Sequence, residues 1–139
     1  MSPKKGRCST VSDAAQTNID HARRCLLSAD ILFKDGDYAG AVNRLYYCVF
    51  HGVRALLSSD SVEFKKHSAV IAYFREKYVK TGIFEKRMSE IIGDLFDERN
   101  GSDYNDLYFI DRDGVELKIE NACYFLNKIC DYLAINSTS

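Results

Sequence analysis

Four side chains that could hold a nucleotide follow one another along a single predicted helix. They are Arg44, Tyr47, His51 and Arg54, at spacings of three, four and three residues. Because an α-helix turns by about 100° per residue, these spacings place the four on one face. Arginine forks suit phosphate oxygens, and an aromatic ring beside them can stack on a base. The stripe therefore predicts a site for a nucleotide or RNA. The alternative, and the more common case, is a polar surface or a polar contact between helices or subunits.

A second group of candidates begins at Arg99 and runs through Asn-Gly-Ser to Asp103 and Tyr104. Arg99 is surrounded in sequence by acidic residues, so a salt bridge, for example to Asp103, is one interpretation. The other is that Arg99 holds a phosphate or a developing negative charge beside Tyr104. On this second interpretation the candidate catalytic residues are Arg99, Tyr104 and Asp103.

The remaining histidines and the cysteines give weaker signals. His67 follows Lys65 and Lys66, and a phosphate at a helix N-terminus is physically reasonable there, although a solvated loop histidine is the more common case. His21 lies off the apolar face of its helix and receives no role. The five cysteines are odd in number and form no C-x-x-C pair. We therefore expect a reducing compartment, no metal site and no cofactor.

Amphipathic helices must position these residues. The chain has one proline, Pro3, and apolar residues recur at spacings of three and four in five segments. Short loops between such segments favour antiparallel neighbours. The predicted fold is therefore all-α, an up-and-down antiparallel bundle of about five helices. The predicted helices cover about residues 12–34, 38–58, 68–80, 84–99 and 115–134, with Asn100 and Gly101 ending the fourth.

The length of 139 residues fits one domain. We expect a disordered tail over residues 1–11, the bundle over 12–135 and a frayed tail over 136–139. A net charge of -1 indicates that the whole surface is not an electrostatic nucleic-acid binder, so any such contact must use a local patch. Without a long apolar run or a signal peptide, the expected location is cytoplasmic, with no membrane contact.

Several segments together resemble the HEPN-domain superfamily. The residues from Ala41 to His51, followed by Ala55 to Leu57, resemble the long helix of HEPN proteins. The resemblance continues over about residues 15–134, through His67, Phe74, Val79 to Gly82, Arg99, Asp103, Tyr104, Ala122, Phe125 and Leu126.

The resemblance implies a helical bundle that pairs into a homodimer and is often encoded beside a minimal nucleotidyltransferase. In that arrangement the HEPN protein is often the toxin and the transferase the antitoxin. Toxic members are metal-independent ribonucleases with an arginine, four to six residues and then a histidine, and the dimer brings two such motifs into one cleft. The transferase can silence the toxin by attaching AMP to a tyrosine near the motif. Here Tyr104 would be that acceptor, unless it is a capping aromatic packed after the fourth helix.

This chain departs from the motif at one position that matters for catalysis. Arg99 matches the arginine, but Asp103 or Tyr104 stands where the histidine would fall, and no histidine follows His67. A tyrosine with a pKa of about 10 is a poor base at neutral pH. Loss of a general base typically costs about 10²–10⁴-fold in rate.

Three hypotheses follow for the function. The preferred one is a toxin-antitoxin-like component that binds nucleotide or RNA and acts with a minimal nucleotidyltransferase, with catalysis left open. The second is an active ribonuclease toxin that uses Arg99, Tyr104 and His51. The third is a purely structural helical interaction module.

Overall fold

A computed structural model describes residues 12–104 and 110–135, with only the backbone for residues 101–104. Over these residues the structure has five α-helices, so the predicted all-α bundle of about five helices is confirmed. They are α1 (Asp13–Lys34), α2 (Tyr38–Ser59), α3 (His67–Phe74), α4 (Lys86–Tyr104) and α5 (Arg112–Leu133). The tails predicted for residues 1–11 and 136–139 lie outside the described residues.

Side-chain caps fix where three of the helices begin. Ser12 accepts a hydrogen bond from the backbone N–H of Ala15 before α1, and Asp111 accepts one from Gly114 before α5. Asp37 caps α2 in the same way and follows Gly36, whose φ of 86° closes the turn between α1 and α2. Short polar side chains at this position satisfy backbone donors that the helix leaves unpaired, and glycine adopts positive φ at little cost.

Helix α2 is the centre of the bundle, because it packs against all four other helices. The three-residue turn after α1 makes the two helices an antiparallel pair. A side chain at Gly52 would place its Cβ only 3.2 Å from Ile129 Cδ1, so glycine allows α2 and α5 to approach closely. The largest fully buried side chains include Tyr46 of α2, Phe74 of α3 and Phe125 of α5, and the rings of Phe74 and Phe125 pack 5.6 Å apart.

The third predicted helix, over about residues 68–80, is α-helical only in its first half. Helix α3 ends at Phe74, and Arg75–Val79 forms a π-helical turn closed by a 2.8 Å hydrogen bond from the Lys80 N–H to the Arg75 carbonyl. The π turn accommodates one more residue than an α turn. With this geometry the Tyr78 hydroxyl donates to the Asp60 carboxylate at 2.6 Å.

The fourth helix extends further than its sequence indicates. Asn100 and Gly101 were expected to end it, but the helical backbone of α4 continues through both to Tyr104. Glycine and asparagine disfavour a helix by about 1 kcal/mol or less, which tertiary packing readily offsets. Buried Ile92 and Leu95 supply such packing in the turns before.

Candidate functional site

The two candidate groups from the sequence meet in the folded chain. Arg99 on α4 donates a hydrogen bond from Nη2 to the Tyr47 hydroxyl on α2, at 3.1 Å across 52 positions of sequence. The Arg99 Cζ also lies 5.3 Å from the ring centroids of both Tyr46 and Tyr47. A guanidinium over aromatic faces is held by the negative ring quadrupole. The tyrosines therefore fix the position of the Arg99 charge.

We call the side chains of Arg44, Tyr47, His51 and Arg54 the α2 stripe. This stripe lies along the same side of α2 as the contact with Arg99. The Arg44 Cζ is 5.0 Å from the Tyr47 ring centroid, and the rings of Tyr47 and His51 are 6.3 Å apart. Arg54, one turn further along, forms a loose ion pair of 3.9 Å with Glu63. All four predicted side chains are half-buried rather than fully solvated. The stripe and Arg99 together form one continuous basic and aromatic surface.

His67 is the site residue that sequence reasoning missed. The sequence favoured a solvated loop histidine, but His67 is half-buried and is the first residue of α3. Its ring stacks on Phe50 with centroids 4.0 Å apart, and its Nδ1 lies 2.9 Å from the Tyr46 hydroxyl. Tyr46 and Phe50, one turn apart on α2, were the available sequence signal, because aromatic pairs at that spacing can form a wall for a third ring. We call Arg99, Tyr46, Tyr47 and His67 the Arg99 cluster.

The protonation of this cluster follows from burial. Burial raises the pKa of Tyr46, and the opposing effect of the Arg99 charge is smaller, so the phenol stays protonated. Burial also lowers the pKa of His67, with the charges of Arg99 and Arg54 acting in the same direction. Both groups are therefore uncharged, and the Tyr46 O–H donates to Nδ1 in the tautomer that leaves this nitrogen unprotonated. Neutral His67 then carries its proton on Nε2, where it can donate to a ligand.

A pair of histidines, one on α1 and one on α2, extends the site towards α1. The rings of His21 and His51 have centroids 4.7 Å apart, and His51 Nδ1 lies 3.4 Å from the Asn18 amide oxygen. Burial, together with the neighbouring His21 and the charge of Arg54, lowers the pKa of His51 to about 4. His51 is therefore neutral at pH 7. Among the residues described, no group of three or more His, Cys, Asp or Glu side chains is placed to hold a metal ion.

For the other two predicted catalytic residues, the structure describes only the backbone. Asp103 and Tyr104 belong to the last turn of α4, four and five residues beyond Arg99. Their side chains lie outside the described residues, so their catalytic roles, and Tyr104 as an acceptor of AMP, stay predictions. Within the described ranges, no helix is both long and apolar enough to cross a lipid bilayer.

Comparison with known proteins identifies the family. The model of the HEPN domain matches residues 15–132. A UPF0332 protein of Thermotoga maritima is 38% identical over 108 residues, which cover 78% of this chain and 82% of that protein. A Methanocaldococcus jannaschii protein named "Putative toxin MJ0142" is 31% identical over 115 residues, 83% of this chain and 78% of that one.

A second protein of the same archaeon, named "Putative toxin MJ0605", is 35% identical over 94 residues, covering 68% of this chain and 70% of its own length. The family match spans all the residues of the Arg99 cluster and of the α2 stripe. The resemblance seen in the sequence is thereby confirmed, and the chain belongs to the HEPN domain family.

Proposed function

We propose that this chain is a toxin-like HEPN protein that binds a phosphate of a nucleotide or RNA at the Arg99 cluster and acts beside a minimal nucleotidyltransferase. The names of two archaeal relatives support the toxin-like part. The observation that carries the binding part is the 3.1 Å contact from Arg99 to Tyr47, which joins two distant segments into one basic site. Pairing of two copies and a cytoplasmic location belong to the same proposal.

The chemistry of the cluster suits an anion with an aromatic part. Guanidinium groups donate to phosphate oxygens in pairs and accept nothing. The His67 ring, held by Tyr46 and Phe50, adds a neutral donor beside Arg99. The Tyr47 ring, half-buried between Arg44 and Arg99, adds aromatic surface beside both guanidinium groups. These features together favour a phosphate ester over a simple inorganic anion.

An active ribonuclease is the second candidate, because His67 brings an imidazole to Arg99 despite the missing motif histidine. RNA cleavage needs a base that takes the proton of the 2′-hydroxyl as that oxygen attacks phosphorus and the P–O5′ bond breaks. Where the Tyr46 hydroxyl donates to Nδ1 of His67, the imidazole proton stays on Nε2. In this tautomer His67 donates and does not accept. The geometry therefore favours binding over base catalysis.

A binding titration tests the phosphate site. Purified wild-type protein and the Arg99→Ala variant would be titrated with a short RNA and with pyrophosphate. We expect Arg99→Ala to weaken both by roughly 10- to 150-fold, since hydrogen bonds to a charged group contribute about 1.5–3 kcal/mol. Arg87→Ala is the matched control, because Arg87 is on the same helix but stacks on Tyr124 at 4.0 Å. Equal binding by Arg99→Ala and wild type would exclude this site.

Expression in cells separates the candidate functions. Growth arrest with RNA cleavage, lost in Arg99→Ala, would establish the ribonuclease. Growth arrest or nucleotide binding with intact RNA would support the non-catalytic subunit. A helical interaction module predicts that Arg99→Ala changes neither growth nor binding. Co-expression with a minimal nucleotidyltransferase should add AMP to the chain, seen by mass spectrometry, and Tyr104→Phe should prevent it.

A further inference from the structure

A cavity of about 280 Å³ lies beside the α2 stripe, at the end of α2 and under the loop to α3. Its inner wall is apolar, since Leu57 and Val70 are almost fully buried. Its mouth carries Arg54, Glu63 and Phe64, and the Glu63 side chain and the Phe64 ring are largely or partly exposed. Ligand cavities usually begin near 300 Å³, so this one has room for a single small ring system.

The cavity is adjacent to the Arg99 cluster. Arg54 lines the cavity and lies one turn after Phe50 on α2, and the Phe50 ring stacks on His67 with centroids 4.0 Å apart. On α3, Val70 lines the cavity one turn after His67. Besides burial, the charges of Arg99 and Arg54 both lower the pKa of His67. A ligand with phosphate at Arg99 and His67 can therefore extend past Arg54 into the cavity without leaving the protein surface.

The side chains at the mouth indicate what the cavity would accept. The Phe64 ring is 39% exposed and is held at 5.8 Å from the ring of Tyr73, so it offers a stable face for stacking. The Glu63 carboxylate repels phosphate but accepts hydrogen bonds from an amino group, as acidic side chains do from cytosine N4. A flat, neutral heterocycle that bears an amino group fits both residues.

The backbone of the cavity wall makes a tight turn at Ser61, just after the end of α2. Ser61 has a φ of 59°, in the left-handed region that non-glycine residues rarely adopt. This conformation closes the helix, because the Ser61 N–H donates to the Ser58 carbonyl at 3.1 Å and the Val62 N–H donates to the Leu57 carbonyl at 2.9 Å. The turn brings Ser61 and Val62 into the lining of the cavity.

We propose that this cavity binds a nucleobase with an exocyclic amino group, as part of the nucleotide or RNA strand whose phosphate lies at Arg99 and His67. The inference rests on the proposed function and adds the second half of its ligand: the base that the site selects. Cytosine, adenine and guanine carry the required amino group, whereas uracil presents a carbonyl at the corresponding position.

The test compares cytidine and uridine tetranucleotides, which differ little in size. We expect wild-type protein to bind the cytidine strand more tightly. Glu63→Gln should abolish most of that preference, because an amide can also donate to the uracil O4. Phe64→Ala should weaken both strands by roughly 5- to 100-fold, since stacking contributes about 1–3 kcal/mol per base. Ile83→Ala, which removes another exposed apolar side chain far along the sequence, should have no effect.

Pyrophosphate and CMP are two further probes in the binding experiment. Pyrophosphate binding should survive Phe64→Ala and Glu63→Gln and disappear in Arg99→Ala. CMP bound as tightly as the tetranucleotide identifies a free nucleotide as the ligand, and a much tighter tetranucleotide identifies a strand; both support the base site. Arg99-dependent binding with no effect of Phe64→Ala and no preference for cytidine overturns the cavity proposal alone. Wild-type protein that binds none of these probes overturns the proposed function itself.

Discussion

Two groups of tyrosines lie at the two ends of the loop between α2 and α3. One group contacts a negatively charged side chain, and the other contacts a positively charged one. At the start of the loop, Asp60 accepts hydrogen bonds from Tyr73 at 3.0 Å and from Tyr78 at 2.6 Å. After its end, the Tyr46 hydroxyl lies 2.9 Å from Nδ1 of His67, and the adjacent Tyr47 hydroxyl accepts a hydrogen bond from Arg99. We call the first group the Asp60 cluster.

The difference shows that the neighbouring charge, and not the tyrosine, separates a structural group from a candidate binding group. In the Asp60 cluster, an anionic acceptor is matched by phenol donors, and burial together with the Asp60 hydrogen bond raises the pKa of Tyr78. In the Arg99 cluster, the charged group is the Arg99 guanidinium, which only donates hydrogen bonds, so the cluster attracts an anion. We therefore expect the Asp60 cluster to determine stability and the Arg99 cluster to determine binding.

The largest effect should come from Asp60→Ala. We expect it to lower the free energy of unfolding by about 2–3 kcal/mol, because it leaves the buried Tyr78 hydroxyl without its charged acceptor. Urea denaturation measures the change. Glu76→Ala, which removes an exposed 3.7 Å ion pair with Lys80, should change stability by about 0.5 kcal/mol or less. A folded Asp60→Ala protein that has lost RNA binding would mean that the two clusters are not separate.

The next effect is a loss of stability in acid. It is caused by protonation of His51, which lies beside the Arg99 cluster. His51 has an ordinary pKa of 6.5 and a folded pKa of about 4, so the unfolded chain binds more protons between these values. The stabilisation is fully present above pH 6.5 and is lost as the pH falls to 4. Allowing for the partial exposure of the ring, the loss should be about 2 kcal/mol.

Denaturation curves of wild type and His51→Gln at several pH values measure this difference. The wild-type protein should lose more stability than the variant between pH 6.5 and 4, and both should behave alike above pH 7. Parallel curves through the acid range would show that His51 titrates as in the unfolded chain.

The smallest effect should come from Tyr46→Phe. Removing the hydroxyl should raise the pKa of His67, because a hydrogen bond donated to Nδ1 favours the neutral imidazole. Stability should fall by about 1 kcal/mol. NMR titration of the His67 ring protons measures the pKa, and Tyr78→Phe, in the Asp60 cluster, should leave it unchanged. A lower His67 pKa in Tyr46→Phe would mean that the phenol accepts from Nδ1 instead.

The helices could be predicted where local signals were strong. Helix α1 was expected over about residues 12–34 and is found at Asp13–Lys34, and α2 was expected over 38–58 and is found at Tyr38–Ser59. Caps and apolar periodicity act over a few residues, so sequence alone exposes them. The π turn at Arg75–Val79 was not predictable in this way, because its apolar spacing reads as an ordinary helix.

The candidate site, like the helices, could be predicted only where local geometry determines it. The grouping of Arg44, Tyr47, His51 and Arg54 needed only helix geometry. The approach of Arg99 to Tyr47 spans 52 positions and that of His67 to Tyr46 spans 21, so both depend on how α3 and α4 pack on α2. Packing of that kind is a property of the whole chain, and for this reason His67 was misread as a solvated loop residue.

The π turn also bears on how this chain should be compared with its relatives. Because the turn holds one additional residue, deleting one position between Arg75 and Val79 would restore a regular helix and rotate Tyr78 by about 100°. A relative with a regular helix there would align with a single-residue gap, and its tyrosine would no longer point at the aspartate. In any set of aligned relatives, that gap would therefore mark the lineages that lack both the inserted residue and the hydrogen bond from its tyrosine to the Asp60 position.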